Sequence, residues 1–192
     1  MTPAELGPVF TLQGAIEAGV RKDQVYGRVA AGDIERIGRG VYVEPFLLDP
    51  AWESLAAATL LRPEATMCLT SALVHHDLSD EIPRGSDIAL PRGVRPPAGF
   101  EHVFWHGFSA TTFDVGKERI EVHSGIEVAV YSAERTIVDV FRLMHREGSD
   151  VAYEALRRWV RIRGNSPASL MRVAAEFPVT QSRIRTALEI LL

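Results

Sequence analysis

The spacing of apolar residues changes partway through residues 11–43. Leu12, Ala15 and Ile16 stand at i, i+3 and i+4, and Val25 and Val29 stand four apart, which predicts two short helices with inward faces. Thr11 is a good N-cap for the first, and Gly19 and Gly32 sit where helices most cheaply turn left-handed. Val20 plugs the turn between the helices, and the second opens near Arg21 and Lys22. The period then falls from about 3.6 to 2. Ile34, Arg36, Val41 and Val43 flank Gly38-Arg39-Gly40, a predicted tight hairpin with an arginine at its tip. Ahead of this, Thr2-Pro3-Ala4-Glu5 has the form of a capping box and predicts a short helix before Phe10, itself expected in a small core.

Beyond residue 46 the pattern predicts a larger body. Pro45 and Pro50 bracket Phe46-Leu47-Leu48, a linker apolar enough to be docked. Helices are expected over 52–61 and 66–78, and strands over 87–90 and 102–106. Residues 117–123 and 126–131, joined by Ser124-Gly125, give the clearest hairpin signal. Four helices follow, over 132–146, 150–163, 167–176 and 181–192, with Ser132, Ser166 and Thr180 at N-cap positions. Strands followed by a helical run predict an α+β chain. It divides into an N-terminal winged helix-turn-helix at 1–46 and a mixed α/β domain at 47–192 that ends in helices.

Two short helices and a basic hairpin offer a duplex one rod for the major groove and one finger for the minor groove. With Val25 and Val29 turned inward, Asp23, Gln24, Gly27, Arg28 and Ala31 lie around the other side. Gln24 can read adenine, Arg28 can reach guanine or phosphate, and Gly27 lets the helix backbone approach closely. Arg21 and Lys22 suit phosphates, while Arg36 and Arg39 on the hairpin suit a narrow minor groove.

Charge tempers this picture. The chain carries 21 basic and 25 acidic residues, a net of −4, so nucleic-acid binding has to come from a local patch. Residues 1–45 hold five basic and six acidic side chains, which keeps a protein-binding adaptor in view as the alternative. No apolar run reaches the roughly 18 residues of a membrane helix, and no signal peptide is legible. The lone Cys68, among apolar neighbours, is expected to be a buried thiol in a cytoplasmic protein.

Catalytic chemistry finds little support. A metal-dependent nuclease needs an acid two residues before a lysine, but Val20 precedes Lys22 and Val115 precedes Lys117. One cysteine excludes the usual zinc–sulfur sites, and no phosphate-cradling glycine loop is present. His75 and His76 diverge by about 100° on a helix, which leaves His76 better suited to a hydrogen bond at a helix end. Ser71 and His75 share a face but lack an evident orienting acid. No enzyme, metal or cofactor is expected. Arg135 and Asp139 are expected to form a buried structural pair, and Arg157, Arg158, Arg161 and Arg163 a solvated helix face, with a second DNA-tracking surface or a contact to acidic residues of a partner protein as the alternative. Leu188, Ile190, Leu191 and Leu192 fit either a core or a dimer face.

Taken together, these residues resemble a known family. Phe10-Thr11, Gly19, Val25/Val29 and Arg39-Gly40-Val41-Tyr42 are similar to the N-terminal winged domain of AbiEi-type antitoxins. The segments 69–78 and 135–139 resemble motifs of that family's C-terminal antitoxin domain, so the likeness spans essentially the whole chain. It implies a transcriptional regulator of a type IV toxin–antitoxin system. Such a protein represses its own operon at double-stranded promoter DNA and neutralises a cognate nucleotidyltransferase-type toxin, the partner whose acidic residues the face of Arg157, Arg158, Arg161 and Arg163 would meet in the alternative above. A homodimer is a further expected partner, and a membrane is not.

Overall fold

A computed structural model of the protein describes residues 6–191 and shows an α+β chain. The N-terminal module runs β1 (Val9–Thr11), α1 (Leu12–Glu17), α2 (Lys22–Ala31), β2 (Glu35–Gly38) and β3 (Val41–Val43). Its strands form an antiparallel sheet in the order β1-β3-β2. The Thr11 hydroxyl caps α1 by accepting the Gly14 N–H at 3.0 Å. Gly19 and Gly32 take left-handed conformations, at φ +87° and +79°, where the two helices end. The predicted helix at Thr2–Glu5 lies outside the described residues.

The central strand β3 explains how the module is mounted. Tyr42 points into the module's own core with Phe10, Ala15, Val20, Val25 and Ile34. Val41 and Val43, on the opposite face, enter the core of the body beside Leu55 and Ala58. The run Val-Tyr-Val is therefore buried on both sides. Ile16, expected inside, is 43% exposed, because α1 is only six residues long and Ala15 alone is fully covered.

The body contains α3 (Pro50–Leu61), β4 (Thr66–Met67), α4 (Leu69–His75), β5 (Ser86–Pro91), β6 (Val103–Phe108), β7 (Lys117–His123) and β8 (Ile126–Tyr131). Five helices complete it: α5 (Ala133–Arg142), α6 (Met144–Glu147), α7 (Ser149–Arg161), α8 (Pro167–Ala174) and α9 (Pro178–Leu191). The strands make one mixed sheet, ordered β6-β5-β4-β8-β7. Alternation along the strands divides two cores. Ile88, Leu90, Val128 and Val130 face α3 and the N-terminal module, whereas Ala89, Phe108 and Tyr131 face α4, α5 and the helical run.

Four expectations need correction. Residues 66–78 are not one helix: Thr66 and Met67 form the middle strand, joined to α4 through extended Cys68 and Leu69 at φ +45°. The helix expected over 132–146 breaks at Leu143. Thr180 is not an N-cap but lies inside α9, which opens at Pro178 and buries that side chain. In the linker Leu48 is buried, but Phe46 is fully exposed and Leu47 nearly half exposed.

Cys68 is buried, and burial pushes its thiol well above the ordinary range. His76 closes α4 with its ring Nε2 2.7 Å from the Tyr131 carbonyl oxygen. Arg135 and Asp139 are fully buried, with Nε donating to Oδ2 at 3.0 Å. Arg157 and Arg158 meet Glu154, and Arg158 also reaches Asp80, so half of the expected basic face is neutralised. At the C-terminus Leu188 is core and Ile190 is 75% exposed.

Candidate nucleic-acid interface

Helix α2 is capped by extended Arg21 at one end and left-handed Gly32 at the other. Val25 anchors it inward, with Val29 partly buried beside it. The side opposite Val25 is formed by Asp23, Gln24, Gly27 and Ala31, all exposed. Gly27 has no internal reason to be glycine: a Cβ added there would meet nothing within 4 Å. A glycine inside a helix costs about 0.5–1 kcal/mol relative to alanine, and nothing in the fold offsets that cost.

The predicted residues are not all equally free. Arg28 turns to the flank of α2, where its Nη2 lies 3.2 Å from the Glu44 carboxylate, and about four-fifths of its side chain is covered. Arg21 pairs with Asp23 through Nε at 3.0 Å, an exposed contact that competing phosphates can replace. That arginine holds the Asp23 carboxyl below its ordinary range. The Gln24 side-chain oxygen accepts the Arg21 N–H at 2.9 Å, so it serves the cap. Lys22 is exposed, with its ammonium 5.4 Å from the ring centre of Tyr26.

On the other flank, α2 and the hairpin enclose a cleft of about 450 Å³. Arg36, Arg39 and Tyr26 line it, over a floor that includes Val29 and Tyr42. Burial pushes the Tyr42 phenol above its usual range. Tyr26, 48% exposed, is a site residue that the helical pattern did not single out. The available signal was an aromatic side chain beyond the apolar stripe of a polar helix.

The hairpin is held from behind. The Arg39 N–H donates to the Ala98 carbonyl at 2.9 Å, and Gly38 lies beneath the Phe100 ring, which a Cβ would meet at 2.6 Å. Gly40, at φ +77°, completes the turn. The backbone of the tip thus belongs to the body, while the Arg39 side chain reaches water.

Elsewhere, the Ser71 hydroxyl accepts the Asp87 N–H at 2.8 Å and lies 3.4 Å from that carboxylate. Asp87 in turn contacts His106 Nε2 at 2.8 Å. Ser71 is thereby held by β5, and no hydrogen bond joins it to His75. Burial lowers the affinity of His75 for a proton. Among the described residues no group of three or more histidines, cysteines or acids could hold a metal ion, and no helix is long and apolar enough to cross a membrane. The chain matches no protein-family model and no curated protein.

Proposed function

We propose that the N-terminal module is a winged helix-turn-helix and that the protein is a DNA-binding antitoxin and autorepressor of the AbiEi type. In this reading α2 enters the major groove by its Asp23–Gly27–Ala31 side, and Arg39 follows the adjoining minor groove. Lys22, Arg36 and the exposed Arg21 meet phosphates, and Arg28 stays on the flank, paired with Glu44. The body holds the hairpin in place, acts without catalysis and counters a nucleotidyltransferase-type toxin in the cytoplasm. Two copies would place two heads on repeated half-sites, compensating for the modest charge of each.

The observation that carries this reading is Gly27: a solvent-facing, helix-interior glycine with open space around it, which suits the close approach of a partner from outside. The test separates fold from binding. Gly27→Gln should stabilise the chain by up to about 0.7 kcal/mol, since glutamine is the better helix former. The same change should weaken binding to the upstream promoter duplex, measured by fluorescence anisotropy. Lys22→Ala should weaken binding to all sequences and flatten the salt slope by roughly 0.9. If the glutamine variant is stabilised and still binds duplex like wild type, α2 does not occupy the groove.

The Arg28–Glu44 pair and the acidic balance of the module favour a second reading, in which the same α2 side docks on a protein. Absence of duplex binding even at low salt would select that adaptor.

A further inference from the structure

The two edges of the five-stranded sheet are built differently. Edge strand β7 carries Lys117, Glu118, Arg119 and Glu121, and its register slips between Glu121 and His123. Alternating charge and a bulge are the usual defences against edge-to-edge pairing. The other edge, β6, reads Val-Phe-Trp-His-Gly-Phe, with no lysine, arginine, acid, proline or register slip. One edge is protected and the other is open.

Hydrogen bonding shows which groups of β6 face outward. Ser86 donates to the His102 carbonyl and Arg92 to the Phe108 carbonyl. In a parallel ladder this assigns the even-numbered residues of β6 to β5 and directs the N–H and C=O groups of Val103, Trp105 and Gly107 away from the sheet. Among the described residues none of these three has a backbone partner outside the ladder, and no side chain caps them. Gly107 is exposed, and a Cβ there would meet nothing within 4 Å. A strand-interior glycine of this kind marks a place where another backbone can come close.

We infer that β6 pairs antiparallel with β6 of a second copy of this chain, about a two-fold axis at Trp105, so that two five-stranded sheets join into one. The occupant follows from self-complementarity. An axis at Trp105 sets Trp105 against its own copy and Val103 against Gly107, so every outward group meets an outward group. Glu101 falls opposite Ser109, and no like charges are brought together. Val103 covers the space that Gly107 leaves open. Phe104, 50% exposed, stands next to the axis and is shielded on pairing.

This inference deepens the pairing of heads proposed above, yet its test needs no DNA, so the two can fail separately. Light scattering of the full chain over a concentration series should show a mass rising from 21.2 kDa toward twice that value. Gly107→Pro removes an outward N–H and no bond to β5, and should weaken dimerisation by about tenfold or more. Gly107→Ala keeps the N–H and should still dimerise. Independently of any variant, hydrogen exchange in the wild type should slow with concentration at the Val103, Trp105 and Gly107 amides. The Phe104 and His106 amides, bonded to β5, should not change. A chain that stays monomeric throughout overturns the inference. So does a dimer whose odd-numbered β6 amides exchange equally fast at every concentration.

Discussion

The N-terminal module and the body use arginine in opposite ways. Arg135 is fully covered, donates to Asp139 and to the carbonyls of Thr112 and Val115, and lies 4.2 Å from the Tyr131 ring centre. Arg36 and Arg39 lie exposed beside their cleft, where Arg36 donates from Nε to the Gly38 carbonyl at 3.2 Å within its own hairpin. The difference shows what each region is for. Removing Arg135 would weaken the fold, whereas removing the arginines of the hairpin would leave the fold and change what it can hold. An arginine confined by carbonyls and rings is a structural part, and one that solvent surrounds is available to a ligand.

The largest effect expected from breaking this contrast is at Arg135. Arg135→Ala leaves Asp139 buried with Arg142 as its remaining cation, and should destabilise the protein by about 3–5 kcal/mol in urea unfolding. Burial already pushes the Asp139 carboxyl above its usual range, despite both arginines. Replacing the pair together, as Arg135→Met with Asp139→Leu, should recover part of the loss, because no buried carboxylate is left short of a cation, while Arg142, only partly exposed, loses its partner. Arg39→Ala should instead leave the unfolding midpoint within about 0.5 kcal/mol of wild type. If Arg39 proves as costly as Arg135, the hairpin tip is structural and the contrast fails.

Much of this contrast could be read in the residues before any coordinates. Thr11, Gly19, Gly32 and Gly40 set the ends of α1, α2 and the hairpin through local backbone chemistry, which a sequence states directly. The β7–β8 hairpin agrees with its expected bounds for the same reason. The pair Arg135–Asp139 was legible because three aliphatic residues crowd its helix. What escaped were features that depend on distant partners. A two-residue strand such as β4 has no period, and only β5 and β8 on either side make it one. Arg28 lies on a plausible groove-facing helix until Glu44, sixteen residues later, draws it aside. Tyr26 became visible only when the hairpin folded back across α2.

A smaller effect is expected at the joint between the two regions. Gly38→Ala places a methyl 2.6 Å from the Phe100 ring, and that ring stands edge-on to Trp105 at 5.6 Å, so it cannot swing aside freely. The cost should be about 1–2 kcal/mol by overpacking. Adding Phe100→Ala should remove part of it, a non-additivity that a double-mutant cycle in urea would measure. Full additivity would mean that the hairpin does not rest on this ring.

The smallest change in stability should carry the most information about binding. Glu44→Gln removes the carboxylate that holds Arg28 and should cost only about 0.2–1 kcal/mol, as for other partly exposed ion pairs. It also frees a cation on the flank of α2. If the module meets DNA by the face described here, the variant should bind duplex more tightly, with a salt slope steeper by roughly 0.9. Arg28→Ala in the wild-type background should by the same logic change affinity little, because that charge is already matched within the module. The reverse pattern, with Arg28→Ala abolishing binding and Glu44→Gln leaving it unchanged, would mean that Arg28 leaves Glu44 on contact with the duplex. Arginine 28 would then belong with Arg36 and Arg39 rather than with Arg135, and the division between a structural and a binding arginine would run through α2 itself.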